Sequence, residues 1–174
     1  SLSQVEMVTV RARTEGLGSR TRFVVADENP LALAPEGFDA VWVVECSEHL
    51  ADKRRFIASC ARVLKPGGRL ALWDITIGNG RELDYPLPWA DHPHNSHLAP
   101  PDELRDAVES AGFAVARWYD RTDEAASLMK AILAQPTNPV GLQAFVPDFA
   151  RKAENLTNAL ADGRLRAVQA VTTR

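Results

Sequence analysis

The chain has no apolar run approaching the roughly 18 residues that a membrane-spanning helix needs. No charged-then-apolar leader opens it, so nothing points to secretion. It has no excess of basic charge: 20 Lys and Arg stand against 23 Asp and Glu, a net charge of -3. No basic stripe is visible, which argues against nucleic acid as a partner. Cysteine is scarce. Cys46 and Cys60 are the two, each in an apolar stretch and without metal-ligand spacing. They read as reduced, buried thiols of a cytoplasmic protein, not as a disulfide framework or a zinc site. No repeat, linker or low-complexity tract interrupts the chain. A Met start is lacking too, and Ser1 raises the expectation of a trimmed N-terminus or a fragment.

What is present is ordinary globular material. The 174 residues are 45% hydrophobic and 25% charged, which suits one domain. Ser3 and Glu6 form a capping-box pattern, followed by Val5, Val8 and Ala12 at helical spacing, with Gly16 and Gly18 as the stop. Three apolar runs follow: FVVA (Phe23 to Ala26), AVWVV (Ala40 to Val44) and LALW (Leu70 to Trp73). Such continuous runs suit strands buried on both faces of a parallel sheet, with Trp42 and Trp73 as core residues. Between the last two, Asp52 caps a helix whose apolar face is Phe56, Ile57, Cys60, Val63 and Leu64. The turn Lys65-Pro66-Gly67-Gly68 ends it. Residues 76–100 are rich in Gly, Pro, Asp and His and read as a long irregular loop, of the kind that is functional or disordered. Beyond it the pattern predicts a helix over 101–111, a strand over 113–118, helices over 123–134 and 147–161, and a strand over 165–171. Alternating helix and strand predict an α/β layered fold.

Each of the three apolar runs closes on an acid: Asp27, Glu45 and Asp74. In an open parallel sheet, ligands sit outside the carboxyl ends of the strands. Three carboxylates there would repel phosphate. They suit a cationic or hydroxyl-rich ligand, accepting from a ribose hydroxyl, an amino group or an ammonium. An acid after a strand also caps the following turn, which is the plainer alternative for any one of them.

The segment FVVAD, then GFDAVWVVECSEHLADKRRFIASCARVLKPGGRLALWD, resembles class I S-adenosylmethionine-dependent methyltransferases. It is most similar to the branch holding tocopherol, sterol and natural-product methyltransferases. The resemblance is strong from about Ser1 to Asp74 and looser through the AGF segment (Ala111 to Phe113) to the last strand. It implies a Rossmann-like sheet in the order 3-2-1-4-5-7-6, helices on both faces and the last strand antiparallel. The strands here would be the third to the seventh. The N-terminal strands, with the Gly-rich loop and the ribose-binding acid, would be missing. The whole chain, 1–174, would be a partial domain with its core in 1–75, 101–118 and 163–173. Residues 76–100 and 119–162 would be substrate-lid segments. Carried over residue by residue, Ala26 and Asp27 match the adenine-contacting pair, with Glu28 beside them. Glu45 and Cys46 match the strand end beside the transferable methyl group. His49 matches a histidine close to the substrate in some relatives, and Asp74 matches a position where some relatives place an acid near the acceptor. Glu48 stands where some relatives carry a second histidine, so a paired-histidine mechanism is not implied.

Methyl transfer displaces a sulfonium, so the enzyme supplies mainly proximity and alignment. A base is needed where the acceptor must lose a proton, and His49 suits a phenol or alcohol. The acceptor is expected to be a small molecule, methylated on O, N or C. His92, His94 and His97 cluster beside Asp91, but Pro93 separates two of them and no helical register aims them. A polar lid is expected there and no metal. Trp89 is the aromatic best placed to face substrate. Two alternatives stand. One is a split or truncated methyltransferase acting as a non-catalytic binding or scaffold subunit, its partner a missing N-terminal segment or second subunit. The other is a Rossmann-type oxidoreductase. The KPGG turn argues against the latter, because its glycines lead from helix into strand whereas a phosphate fingerprint runs from strand to helix.

Overall fold

The computed structural model describes residues 2–25, 33–134 and 146–174. It divides into two compact units, residues 1–32 and 33–174. In the first unit a single helix, α1, runs Leu2–Thr14. It begins one residue before Ser3, the expected cap. Gly16 closes it at φ 73°, a left-handed value that glycine adopts without strain, and Leu17 N–H donates back to Ala12 O at 2.7 Å.

The second unit is built on β1 (Phe38–Val44), α2 (Lys53–Val63), β2 (Leu64–Ile77), α3 (Pro101–Ser110), β3 (Ala114–Asp120), α4 (Thr122–Leu133), α5 (Phe149–Ala161) and β4 (Leu165–Thr173). The sheet order is β1-β2-β4-β3. β1 and β2 are parallel, while β4 runs antiparallel to both β2 and β3. This matches the fourth, fifth, seventh and sixth positions of the expected sheet, including its antiparallel last strand.

Strand alternation sorts the side chains between two faces. Val43 pairs with Leu72 and Leu72 with Ala170, so all three point the same way. They meet Phe56, Ile57 and Cys60 of α2 and Leu104 and Val108 of α3. On the other face, Ile75, Leu165 and Ala167 meet Ala125 and Ala126 of α4 and Leu156 and Leu160 of α5. Full burial of a leucine contributes roughly 1.5–3 kcal/mol. Leu64, Leu70, Leu104 and Leu165, all buried completely, therefore anchor both layers. Asp52 caps α2 as its sequence implies, accepting from Arg55 N–H at 2.9 Å.

Two sequence expectations change. Phe23, Val24 and Val25 belong to no strand and are exposed, and Ala26 lies outside the described residues. An apolar run becomes a strand only when a neighbour completes its ladder, and no described strand pairs with it. Trp42 is no core residue: it is 80% exposed and Val44 is 61% exposed. β1 buries Val43 on one face, but α4 and α5 cover the other face only toward Ile75 and Ala167. Trp42, Val44, Ala71, Trp73, Gln169 and Val171 line a shallow open depression beside that cover.

The 76–100 segment is packed. Ile77 N–H donates to Ala99 O at 3.0 Å and closes its base. Leu87 and Ala90 exchange backbone bonds, and both are buried with Ala99. Lys152 of α5 pairs with Asp91 at 2.8 Å, and Arg164 pairs with Asp84 at 2.7 Å. Among the described residues, no helix is long and apolar enough to cross a membrane.

Candidate active site

The carboxyl ends of the parallel pair β1 and β2 lie together, and two of the expected site acids are there. Glu45 follows β1 directly at φ 45°, a left-handed backbone that a non-glycine residue adopts only when its surroundings hold it. Its N–H donates to Trp73 O at 2.8 Å, continuing the parallel ladder by one bond. The chain then turns through the short 3-10 helix Ser47–His49.

Asp74 makes that turn. It is fully buried, and its Oδ1 accepts from Cys46 N–H at 2.9 Å and Ser47 N–H at 3.2 Å. The structure thus places Asp74 beneath the turn as its anchor. Cys46 is half-buried and His49 is exposed. The His49 N–H donates to Cys46 O at 3.2 Å, which fixes the histidine backbone at the rim. Ala26, Asp27 and Glu28 lie outside the described residues, so the structure brings together Glu45, Cys46, His49 and Asp74 only.

The electrostatics follow from burial. Burial, then the Asp74 charge, raises the Glu45 carboxyl above its ordinary range. The same two causes, with Glu48 third, push the Cys46 thiol up to about 11. Burial pushes Cys60 up to about 12. Both thiols are free and neutral at physiological pH, so Cys46 is no activated nucleophile.

Sequence reasoning did not find the buried polar groups beneath the turn. Glu48 is 2% exposed and Lys53 is 8% exposed. Lys53 Nζ donates to Leu50 O at 3.0 Å and also to His97 O. His97 N–H in turn donates to Glu48 O at 2.8 Å. The loop that carries the histidines is therefore fastened to the site turn by two bonds. Of the other histidines, His92 and His94 are exposed, their rings stacked at 5.6 Å. Trp89 donates to Ser96 Oγ at 2.9 Å and packs against the α4–α5 core.

Gly67 and Gly68 stand at the opposite end of β2 from these acids. Gly67 N–H donates to Arg174 O at 3.0 Å, and Arg174 N–H donates to Gly68 O at 2.8 Å. A side chain at Gly68 would press on Lys65 O at 2.8 Å. The glycines serve the bend from α2 into β2 and cradle no ligand at the carboxyl end.

Comparison with known proteins agrees with this architecture. A methyltransferase domain family matches residues 1–72. Methyltransferase GfsG of Streptomyces halstedii is 42% identical over 77 residues, which are 44% of this chain and 28% of that protein. The erythromycin 3''-O-methyltransferase of Saccharopolyspora erythraea is 33% identical over 129 residues, 74% of this chain and 39% of that protein. Over residues 1–72 the chain is similar to the methyltransferase domain. The family fold extends through the described sheet. The geranyl diphosphate C-methyltransferase of Streptomyces coelicolor A3(2), solved with Mg2+, geranyl diphosphate and S-adenosyl-L-homocysteine, superposes with a TM-score of 0.76 at 17% identity. That match covers 99% of this chain and 61% of the other, and at this identity it speaks for the fold alone. The chain thus spans less than two thirds of the length of these methyltransferases.

Proposed function

We propose that this chain carries the adenine side and the acceptor side of an S-adenosylmethionine-dependent methyltransferase that acts on O, N or C of a small molecule in the cytoplasm. The observation that carries the reading is the turn from Glu45 to His49. It closes the carboxyl end of a parallel strand pair and is held from below by Asp74. Ligands of open α/β sheets sit at such ends. The chemistry of the turn fits the cofactor: a carboxylate at Glu45 beside the half-buried Cys46 can attract a cationic sulfonium. The bound cofactor would supply an electrophilic methyl group.

In this reading Glu45 and Cys46 flank the methyl end, and Ala26, Asp27 and Glu28 serve the adenine end. His49 takes the acceptor proton where the acceptor is a hydroxyl, a contribution of typically about 10²–10⁴-fold. Asp74 acts through the turn it anchors. Residues 76–100 and 119–162 wall the acceptor. Two free thiols agree with a reducing compartment.

Calorimetric titration of the purified chain with S-adenosylhomocysteine tests the proposal. Binding that weakens in Glu45→Lys is expected, and no heat with correctly folded protein would overturn it. The open depression around Trp42 favours a second reading. Monomeric proteins rarely leave a large contiguous apolar patch uncovered. A further polypeptide, joined or separate, would then cover it, and the chain would serve as a binding or scaffold subunit. Turnover that requires an added segment supports this second reading.

A further inference from the structure

Among the described residues, three buried side-chain oxygens have no hydrogen-bond partner: Ser47 Oγ, Glu48 Oε2 and Asp74 Oδ2. Two belong to carboxyl groups that face each other from the site turn and from β2. As carboxylates, both are acceptors only and leave each other unsatisfied. Buried polar groups without partners are rare because each loses its hydration for nothing. One proton between them removes two of the three vacancies at once.

We infer that Glu48 is a positioning residue: it keeps its proton, donates it to Asp74, and so holds the Cys46–His49 turn and the loop at His97 against β2. Nothing in the family resemblance assigns it this work. Describing the turn as a methyl-transfer platform rests on the proposed function, but the acid–carboxylate pair does not.

Charge balance agrees. Lys53 of α2 is the cation that faces the pair, and Glu45 at the tip of β1 adds a further negative charge. Glu103 of α3 faces the same lysine. Lys53 spends two of its donors on the Leu50 and His97 carbonyls. Two ionised carboxylates would therefore leave an uncompensated buried negative charge, which is costly. Burial first and the Asp74 charge second push the Glu48 carboxyl up to about 8, against a backbone hydrogen bond that lowers it, with smaller contributions from a hydrogen bond to Asp74 and the Glu45 charge.

Geometry gives the pair its reach. Asp74 Oδ1 is already committed to the Cys46 and Ser47 N–H groups, which leaves Oδ2 for Glu48. The Glu48 carbonyl receives the His97 N–H at 2.8 Å, and Lys53 takes the His97 carbonyl. Glu48 thus meets the strand end through its side chain and the lid loop through its backbone carbonyl, while Lys53 at the start of α2 holds the same loop.

Carboxyl-carbon NMR of the whole chain, labelled at Glu, tests this between about pH 5 and pH 9. One glutamate signal should stay at its acid position to near neutral pH, be absent from E48Q, and in D74N show at least tenfold weaker proton affinity. Amide exchange at Cys46, Ser47 and His97 should stay within twofold in E48Q, whose amide still donates to Asp74, and speed up at least tenfold in E48A. Every glutamate titrating in the ordinary range would overturn the inference, as would an E48A chain with parental protection at the three amides. If E48A does not fold, the parent and E48Q titrations decide alone. A retained acid signal in a chain that binds no S-adenosylhomocysteine supports the inference and counts against the proposed function.

Discussion

Replacing Asp74 with alanine removes the acceptor shared by two backbone N–H groups, the buried one of Ser47 and the part-buried one of Cys46. No other acceptor is bonded to either donor in the described structure, and Asp74 is fully buried, so water does not replace it without opening the sheet. A buried donor left unpaired costs about 1–3 kcal/mol. Two such donors give roughly 2–6 kcal/mol. Two effects bring the figure down. The Cys46 donor is only part-buried, so its loss costs less than the full figure, and Glu48 and Glu45 lose a neighbouring negative charge. A loss of about 2–4 kcal/mol is therefore expected, a large share of the 5–15 kcal/mol that typically holds a domain. Asp74→Asn keeps an oxygen for the two N–H groups and should lose no more than about half as much. Urea unfolding followed by tryptophan fluorescence measures both variants. An alanine variant within about 0.5 kcal/mol of the parent would refute the anchoring role, because surface substitutions give changes of that size.

Stability should fall as pH rises from about 4.5 toward 8. Glu48, raised to about 8 when folded, binds more protons folded than unfolded across that window. Its contribution is complete below its unfolded value and lost through its folded value, at no more than about 1.4 kcal/mol per pH unit. Glu45 acts in the same direction. Carboxylates lowered by cationic partners, Asp91 and Asp162 among them, lose their contribution only below that window. Unfolding curves taken across it check the slope, which E48Q should flatten; a rising slope in the parent contradicts the assignment. Trp42→Ser should change stability by less than about 0.5 kcal/mol while reducing binding of an apolar dye, since the side chain is 80% exposed. A loss above about 1.5 kcal/mol would mean that the indole is packed. Gly78→Ala should destabilise by about 1–3 kcal/mol, because its Cβ would overlap the Gly163 carbonyl where the lid leaves β2. A parental unfolding midpoint for this variant would show that the backbones part easily there.

Much of this architecture is legible along the chain. The RVLKPGG turn, the cap at Asp52 and the apolar stripe of α2 are local signals, and local signals place α2 and the start of β2. Runs such as AVWVV announce a strand but not its neighbours. Trp42 and Val43 are alike in sequence, and only the layer laid on each face separates an 80% exposed residue from a 4% exposed one. The site divided in the same way. The acids at the strand ends were visible because each closes an apolar run. Nothing local marks Glu48 as buried, because the group it faces, Asp74, lies on β2 and comes later in the chain. Lys53 was hidden for the same reason: its acceptor, His97, comes from the lid loop.

The position of β4 bears on how this sheet comes together. It follows the other described strands in sequence, yet it lies between β2 and β3, and Leu70 pairs with Thr172. Until residues 165–173 have emerged, β3 has no partner, and the α4–α5 layer lacks the Leu165 and Ala167 side chains on which it rests. Closing so long a loop carries an entropic cost that precedes any gain from the ladder, and such pairings form slowly. During synthesis the parallel β1–β2 pair with α2 can form first, and the described sheet joins β3 to β2 only when β4 slides between them.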